Sequence, residues 1–447
     1  FYIGPVDGHD IGEMRRAFSR AKKIDGPVLV HVITQKGHGY RAAERDPRRY
    51  HSAGSFAVSS GRMQIKPLRR KPYTAELSDA MLKLGAQDTR IVAITAAMPD
   101  ATGLAAFASA YPKRFFDVGI AEEHAVTMAA GLARAGMRPI VPIYSTFLQR
   151  AYDSVIHDVC TQNLPVILLA DHAGIVGDDG QTHQGVFDIA FLRSIPNLTL
   201  LSPCEPCRMY DALRYALSLN APCAIRYPKA DNGLVIDNNP TPAFPAWRLL
   251  ANGTQVSILA AGAMARQAYF ASRQLLKAGI AARVYAARTI KPLDEQSLLH
   301  AFENPLVVTL EDGVLQGGFG SAVLEWMNLH GKTNPLLRLG VPDRFLTHAT
   351  RAQWLEELHL NADGVAASIQ AFVEEKADWI WRRLKQREQA LCNLKAQPEA
   401  KDGAPLWLLG NPFTLALTTQ GSGLSIGMDT CILAVKDKSE EEKNQAM

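Results

Sequence analysis

The stretch Asp117-Val-Gly-Ile-Ala-Glu122-Glu123-His124 runs on through the periodic segment Ala121–Ala135 to Arg138-Pro-Ile-Val-Pro-Ile-Tyr144, and it carries the architecture in miniature. One strand ends in Gly119, a helix opens on two carboxylates, and a second apolar strand ends at Tyr144. The same alternation extends outward in both directions. Strand-like runs are Val28–Thr34, Ile91–Thr95, Pro165–Asp171, Leu198–Ser202 and Ala224–Tyr227, then Val256–Ala261, Ala282–Ala287, Leu306–Glu311 and Pro335–Val341. Helical patterns such as Met264–Ala278 and Ser321–His330 lie between them. Such alternation predicts an α/β protein with parallel or mostly parallel sheets.

Two polar, Pro-containing breaks at 59–72 and 231–245 mark linkers. They separate an opening segment (1–58), an α/β block (73–230) and a second block (246–373). The tail 374–447 loses the periodicity and mixes a basic amphipathic helix (Ile380–Leu394), a Gly/Pro-rich patch and a polar end, Ser439–Met447. The opening segment holds one strand and one helix, too little for an independent core. It begins at Phe1 rather than Met, with no signal peptide, so the chain is expected to be a piece of a longer one.

Composition narrows the function. With 48 basic against 44 acidic side chains, the net charge of +4 over 447 residues is too small to point to nucleic acid as a partner. No 18-residue apolar run suits a membrane span. Six cysteines are too sparse for a disulfide scaffold, and the Cys204-Glu-Pro-Cys207 pair lacks the second pair that a zinc site needs. The plainer expectation is that Ser202 and Pro203 open a helix with both cysteines in its first turn.

Several constellations could carry chemistry. Glu122 and Glu123 suit a helix dipole, or a buried carboxylate at the carboxyl edge of a sheet where ligands bind. In Tyr144-Ser-Thr-Phe147-Leu-Gln-Arg150, Phe147 and Arg150 share a helix face, and a cation there suits an anionic group. The loop Gly177-Asp-Asp179-Gly-Gln-Thr-His183-Gln-Gly185 is rich in acid/base side chains but has no metal-ligand spacing. Lys36-Gly-His-Gly-Tyr40 marks a turn after a strand, and His51 is an acid/base candidate near neutral pH. Gly317-Gly-Phe-Gly320 could cradle a phosphate, though a tight helix-entry turn explains it as well.

Together with Tyr2–His9, Ile94–Pro99, Ala173–Gly177, Ile225–Pro228, Lys291–Asp294 and Pro342–Phe345, these segments make the chain resemble the 1-deoxy-D-xylulose-5-phosphate synthases, thiamine-diphosphate enzymes of the transketolase superfamily. The resemblance is collinear from residue 1 to about 372. It implies a pyrimidine-binding domain and a transketolase carboxyl-terminal domain, preceded by the remnant of a diphosphate-binding domain. The implied reaction joins pyruvate to glyceraldehyde 3-phosphate with loss of carbon dioxide, opening non-mevalonate isoprenoid synthesis and feeding thiamine and pyridoxal synthesis.

The resemblance also implies residue roles. Glu122 would hold the cofactor's pyrimidine nitrogen, Phe147 would stack on that ring, and Tyr40 and Lys36 would line the cofactor site. Tyr144, Arg150, Asp179, His183 and Arg226 would bind the acceptor, with Arg150 and Arg226 as a phosphate clamp. His51 and His183 would transfer protons. The family's Gly-Asp-Gly motif, which holds Mg²⁺ and the diphosphate, has no match here. The metal ligands are therefore expected in an absent amino-terminal part, and this chain alone is expected to be inactive.

Departures include Glu123 for Gln, and Lys229-Ala230 for Arg-Gly after Arg-Tyr-Pro, where Lys cannot make a bidentate fork. A homodimer in a bacterial cytoplasm is expected, with a plastid as the other setting. The rival readings are a subunit of a split transketolase and a non-catalytic truncated paralogue.

Overall fold

Apolar runs of four to nine residues, broken by turns, leave little choice but sheets buried under helices. The computed structural model describes residues 1–47, 49–51, 53–63, 71–177, 179–230, 242–378, 382, 385, 405–408, 411–418, 423–426 and 430–434. The chain divides into two units, Phe1–Arg69 and Arg70–Met447.

In the first unit, β1 (Tyr2–Asp7) and β2 (Leu29–Ile33) pair in parallel. The helix Ile11–Ala21 between them is capped by Asp10, whose side chain accepts the Glu13 amide at 2.9 Å. Its core is Ile3, Val6 and Ala17. A short antiparallel pair follows, β3 (Phe56–Ala57) and β4 (Arg62–Met63).

After the helix Tyr73–Gln87, the second unit builds six parallel strands. They are β5 (Ile91–Thr95), β6 (Phe115–Asp117), β7 (Arg138–Tyr144), β8 (Ile167–Asp171), β9 (Thr199–Leu201) and β10 (Cys223–Arg226). A second sheet holds β11 (Arg248–Ala251), β12 (Val256–Ala261), β13 (Ala282–Ala287), β15 (Leu306–Val314) and β16 (Leu336–Val341) in the order β11-β13-β12-β15-β16, parallel except at the β11 edge. Between β13 and β15 in the chain, β14 (Thr289–Lys291) leaves that sheet. It pairs antiparallel with β9, completing the first as β14-β9-β10-β8-β7-β5-β6.

One apolar core contains residues of both sheets, from Val141 and Leu168 to Leu259 and Val307. The outer face of each sheet carries its own core, one including Leu77 and Met209, the other Ala268 and Ile369. The predicted mostly parallel α/β fold holds. In the tail, β17 (Pro405–Leu408), β18 (Asn411–Thr418), β19 (Gly423–Ile426) and β20 (Thr430–Ala434) form a four-stranded sheet in the order β17-β18-β20-β19.

Two local expectations need correction. The helix after β9 starts at Met209, so Cys204 and Cys207 precede it; both are unbridged. Glu205 draws this segment inward, because its buried carboxylate accepts from Arg248 at 2.7 Å. β15 runs three residues beyond the predicted Glu311, since Asp312–Val314 are buried as well.

Glu311 also settles the Gly317–Gly320 turn. Its carboxylate accepts the Phe319 and Gly320 amides, each at 2.8 Å, so the chain's own acid occupies the amide cradle at the start of helix Phe319–Leu329. Burial outweighs those bonds and holds this carboxyl at about 7. A raised folded pKa means that the folded chain keeps a proton which the unfolded chain has released. The stability from neutral Glu311 is complete below about pH 4.5 and lost as pH rises to about 7, an amount of about 3 kcal/mol. In Glu311→Gln, calorimetric melting temperatures should fall less steeply across that window. An unchanged slope would show that Glu311 is not the titrating group.

Candidate active site

Chain reversal in the first sheet fixes where a site can form. From β5 the chain passes to β6 on one side and returns to β7 on the other. Ligands of open parallel sheets bind at such a switch point, beyond the carboxyl ends of the strands. Asp117 ends β6, and its Oδ1 accepts the amides of Ala97 at 2.8 Å and Gly119 at 3.0 Å. Ala97, just past β5, is held at a left-handed φ of 62°. Gly119, at φ 73°, makes the turn into helix Glu122–Arg134.

Glu122 is the first residue of that helix and is 3% exposed. Its Oε1 accepts from Arg150 Nη1 at 2.9 Å. The helix N-terminus and the guanidinium thus both face this side chain. Glu123 and His124 are exposed.

Beyond β7, the Tyr144 ring stacks on Phe147, with centroids 5.6 Å apart, and on His172 at 3.7 Å. Phe147 meets His183 edge-on at 5.5 Å, and the Arg150 guanidinium lies 5.3 Å from the Phe147 centroid. Burial first, then the charges of Asp171 and Asp179, push the Tyr144 phenol well up, so it remains a protonated donor at neutral pH. His172 adopts a left-handed φ of 56°, is buried, and bonds Asp171 Oδ1 through Nδ1 at 2.9 Å.

The loop after β8 is drawn closed by paired amide–carbonyl bonds between Gly174 and Gly185, at 2.7 and 2.9 Å. Ser145 donates to the Gly185 carbonyl at 3.2 Å and Thr146 to that of Thr182 at 3.0 Å. These bonds pin the loop to the turn that carries Phe147. Within it, Asp179 pairs with Lys229 Nζ at 2.9 Å. Partial burial works to raise the Asp179 carboxyl, but the Lys229 bond and charge outweigh it and hold the group below the usual range.

Glu122, Arg150, Phe147, Tyr144 and His183 are thus brought into one chain of contacts, while Asp179, on the same loop as His183, pairs with Lys229. Arg226 is held elsewhere: it lies 3% exposed between Asp188 and Asp312. Lys36, Tyr40 and His51 belong to the first unit. There Tyr40 donates to the Val58 carbonyl at 2.8 Å, and Lys36 and His51 are exposed. Two site residues escaped the sequence reading. Lys229 was noticed only as a departure, although it follows a strand end, and His172 directly follows the carboxylate that ends β8. Among the described residues, no group of three or more His, Cys, Asp or Glu side chains is placed to hold a metal ion, and no helix is long and apolar enough to cross a membrane.

Residues 70–233 match the family described as "Transketolase, pyrimidine binding domain" and 246–365 "Transketolase, C-terminal domain". Residues 1–34 match "1-deoxy-D-xylulose-5-phosphate synthase". The 1-deoxy-D-xylulose-5-phosphate synthase 1 of Geobacter sulfurreducens is 46% identical over 379 residues, 84% of this chain and 60% of that protein. The synthase of Thermomicrobium roseum is 48% identical over 377 residues, 83% of this chain and 59% of its own. The chain therefore spans about three-fifths of the length of these relatives. A solved "Split gene transketolase, inactive beta4 tetramer" is 30% identical, with a TM-score of 0.60 over 67% of this chain and 97% of that one. A Pichia stipitis transketolase, 17% identical with a TM-score of 0.59 over 68% of this chain and 46% of its own, shares the fold.

Proposed function

The chain belongs to the transketolase family, and on that premise we propose that it carries the pyrimidine side and acceptor side of a 1-deoxy-D-xylulose-5-phosphate synthase. One observation carries the reading: a buried carboxylate, Glu122, held by Arg150 at a sheet switch point beside the stacked rings of Tyr144 and Phe147. A flat heteroaromatic ring with a polar edge fits such a place. The Thr95 hydroxyl, buried at the end of β5 with no hydrogen-bond partner among the described residues, offers a further polar atom. Thiamine diphosphate, when bound, supplies the carbon nucleophile that takes up a 2-oxo acid and expels carbon dioxide.

Glu122 would hold a proton on the pyrimidine nitrogen, where exclusion of water strengthens the bond. Phe147 would lie against that ring. Tyr144, Asp179 and Lys229 would bind glyceraldehyde 3-phosphate, with Tyr144 donating and Lys229 answering the phosphate charge. His183, in contact with Phe147, would move the proton during carbon–carbon bond formation. Tyr40, Lys36 and His51 retain their proposed places in cofactor binding and proton transfer. The described residues offer no group for Mg²⁺, and no step here runs through a metal. Pairing of two copies and a bacterial cytoplasmic setting belong to the same reading.

The test is carbon dioxide release from labelled pyruvate with glyceraldehyde 3-phosphate, thiamine diphosphate and Mg²⁺, using this chain with and without the amino-terminal portion of a relative. Activity in the combined arm is expected. Its absence in both, with the chain folded, would overturn the reading. The near-complete coverage of the split-gene transketolase chain favours one alternative, two-carbon transfer from a ketose phosphate. That reading gains if ketose phosphates serve as donors and pyruvate does not. In the active combination, Lys229→Met should raise the KM for glyceraldehyde 3-phosphate about 10- to 100-fold with little change in kcat, the size of one lost charged hydrogen bond. An unchanged KM would remove Lys229 from the acceptor site.

A further inference from the structure

Where β10 ends, charged side chains meet out of water. Arg226 donates from Nε to Asp188 Oδ2 at 2.8 Å and from Nη2 to Asp312 Oδ1 at 3.0 Å. The other oxygen of Asp312 accepts from Arg351 Nη2 at 3.0 Å. Arg226, Asp188 and Asp312 are each no more than 3% exposed. Buried ions are tolerated only when each is answered by good geometry, so such a cluster selects one arrangement of the segments that carry it.

Those segments are the two ends of the loop between β8 and helix Asp188–Arg193. At the near end, Arg351 Nη1 donates to the Ile175 carbonyl at 2.5 Å, and a Cβ at Gly174 would run into the Asp312 carboxylate. Gly174 and Gly177 stand at φ 73° and 97°, and Gly177 backs onto the main chain of Ala349–Arg351, where no side chain would fit. At the far end, Asp188 opens the next helix on the Arg226 guanidinium. Between the two anchored ends lie Asp179 and His183. Asp312 lies in the buried run of β15 and Arg351 opens helix Arg351–Glu357, both in the carboxyl-terminal block.

We propose that Asp312 and Arg351 are positioning residues: from the carboxyl-terminal block they fix both ends of loop 172–188, and so place Asp179 and His183 for the acceptor. The carboxyl-terminal block thereby takes a part in acceptor binding without touching the acceptor. The acceptor half of this statement rests on the function proposed above; the anchoring half does not.

The experiment pairs two readouts on Arg351→Met, Arg351→Lys and Asp312→Asn. Hydrogen–deuterium exchange of the full chain should show amides of 174–187 exchanging about tenfold faster in Arg351→Met than in the parent, with β8 and β12 unchanged and Arg351→Lys in between. With the amino-terminal portion supplied, the KM for glyceraldehyde 3-phosphate should rise about tenfold while that for pyruvate stays put. Arg351 is partly exposed, so its variants fold even if Asp312→Asn does not. Unchanged loop exchange, or a rise spread evenly over both sheets, would overturn the proposal. So would equal rises in both KM values. Faster loop exchange in a combination that shows no activity even with the parent chain would leave the anchoring standing and reject the function.

Discussion

Arg226→Met is expected to lower the free energy of unfolding by about 3–5 kcal/mol, the range for breaking a buried ion pair from one side. The substitution keeps most of the side-chain volume but removes the cation that faces two carboxylates. Asp188, fully buried, loses its guanidinium bond, and Asp312 keeps the one to Arg351. Asp188 is already pushed up by burial even with Arg226 in place, so without it the carboxyl takes up a proton. The loss should therefore be smaller at pH 5 than at pH 8, because protonation relieves the stranded charge. Denaturant titrations of parent and variant at the two pH values check both the size and the trend. A change under about 1 kcal/mol would mean that the cluster is worth no more than surface pairs.

The second large effect concerns catalysis. In the active combination, Glu122→Ala should reduce kcat by at least about 10²–10³, the scale for losing one preorganised charged group from a water-excluded site. Stability should fall far less, since the partner Arg150 is about half exposed and can be solvated once the carboxylate is gone. Glu122→Gln keeps the shape and should recover folding but not rate. Full activity in Glu122→Ala would remove Glu122 from the mechanism. A rate loss matched by a collapse in melting temperature would assign it to structure instead.

Much of this was legible in the chain because its signals are local. Ile91–Thr95, Arg138–Tyr144, Val256–Ala261 and Ala282–Ala287 are apolar runs bounded by turns, and their strands have those limits. Glu122, Tyr144 and Phe147 sit where strands end and helices start, which the pattern also marks. The burial of Arg226 between two carboxylates has no such local mark. Its partners lie 38 and 86 residues away, and no periodicity encodes that meeting. The pairing of Arg150 with Glu122, 28 residues apart, was equally invisible. β14, three residues long, carries too little pattern to announce that it joins the other sheet.

That short strand bears on how such a chain can be reshuffled in evolution. Its Thr289 and Lys291 cover the open edge of β9, and the Thr289 carbonyl also accepts the buried Trp247 indole at 2.9 Å. A recombination that exchanged everything after residue 245 for a foreign module would strip the first sheet of its last strand and bare an edge prone to self-association. A carboxyl-terminal module grafted in its place would therefore have to bring its own three-residue clasp.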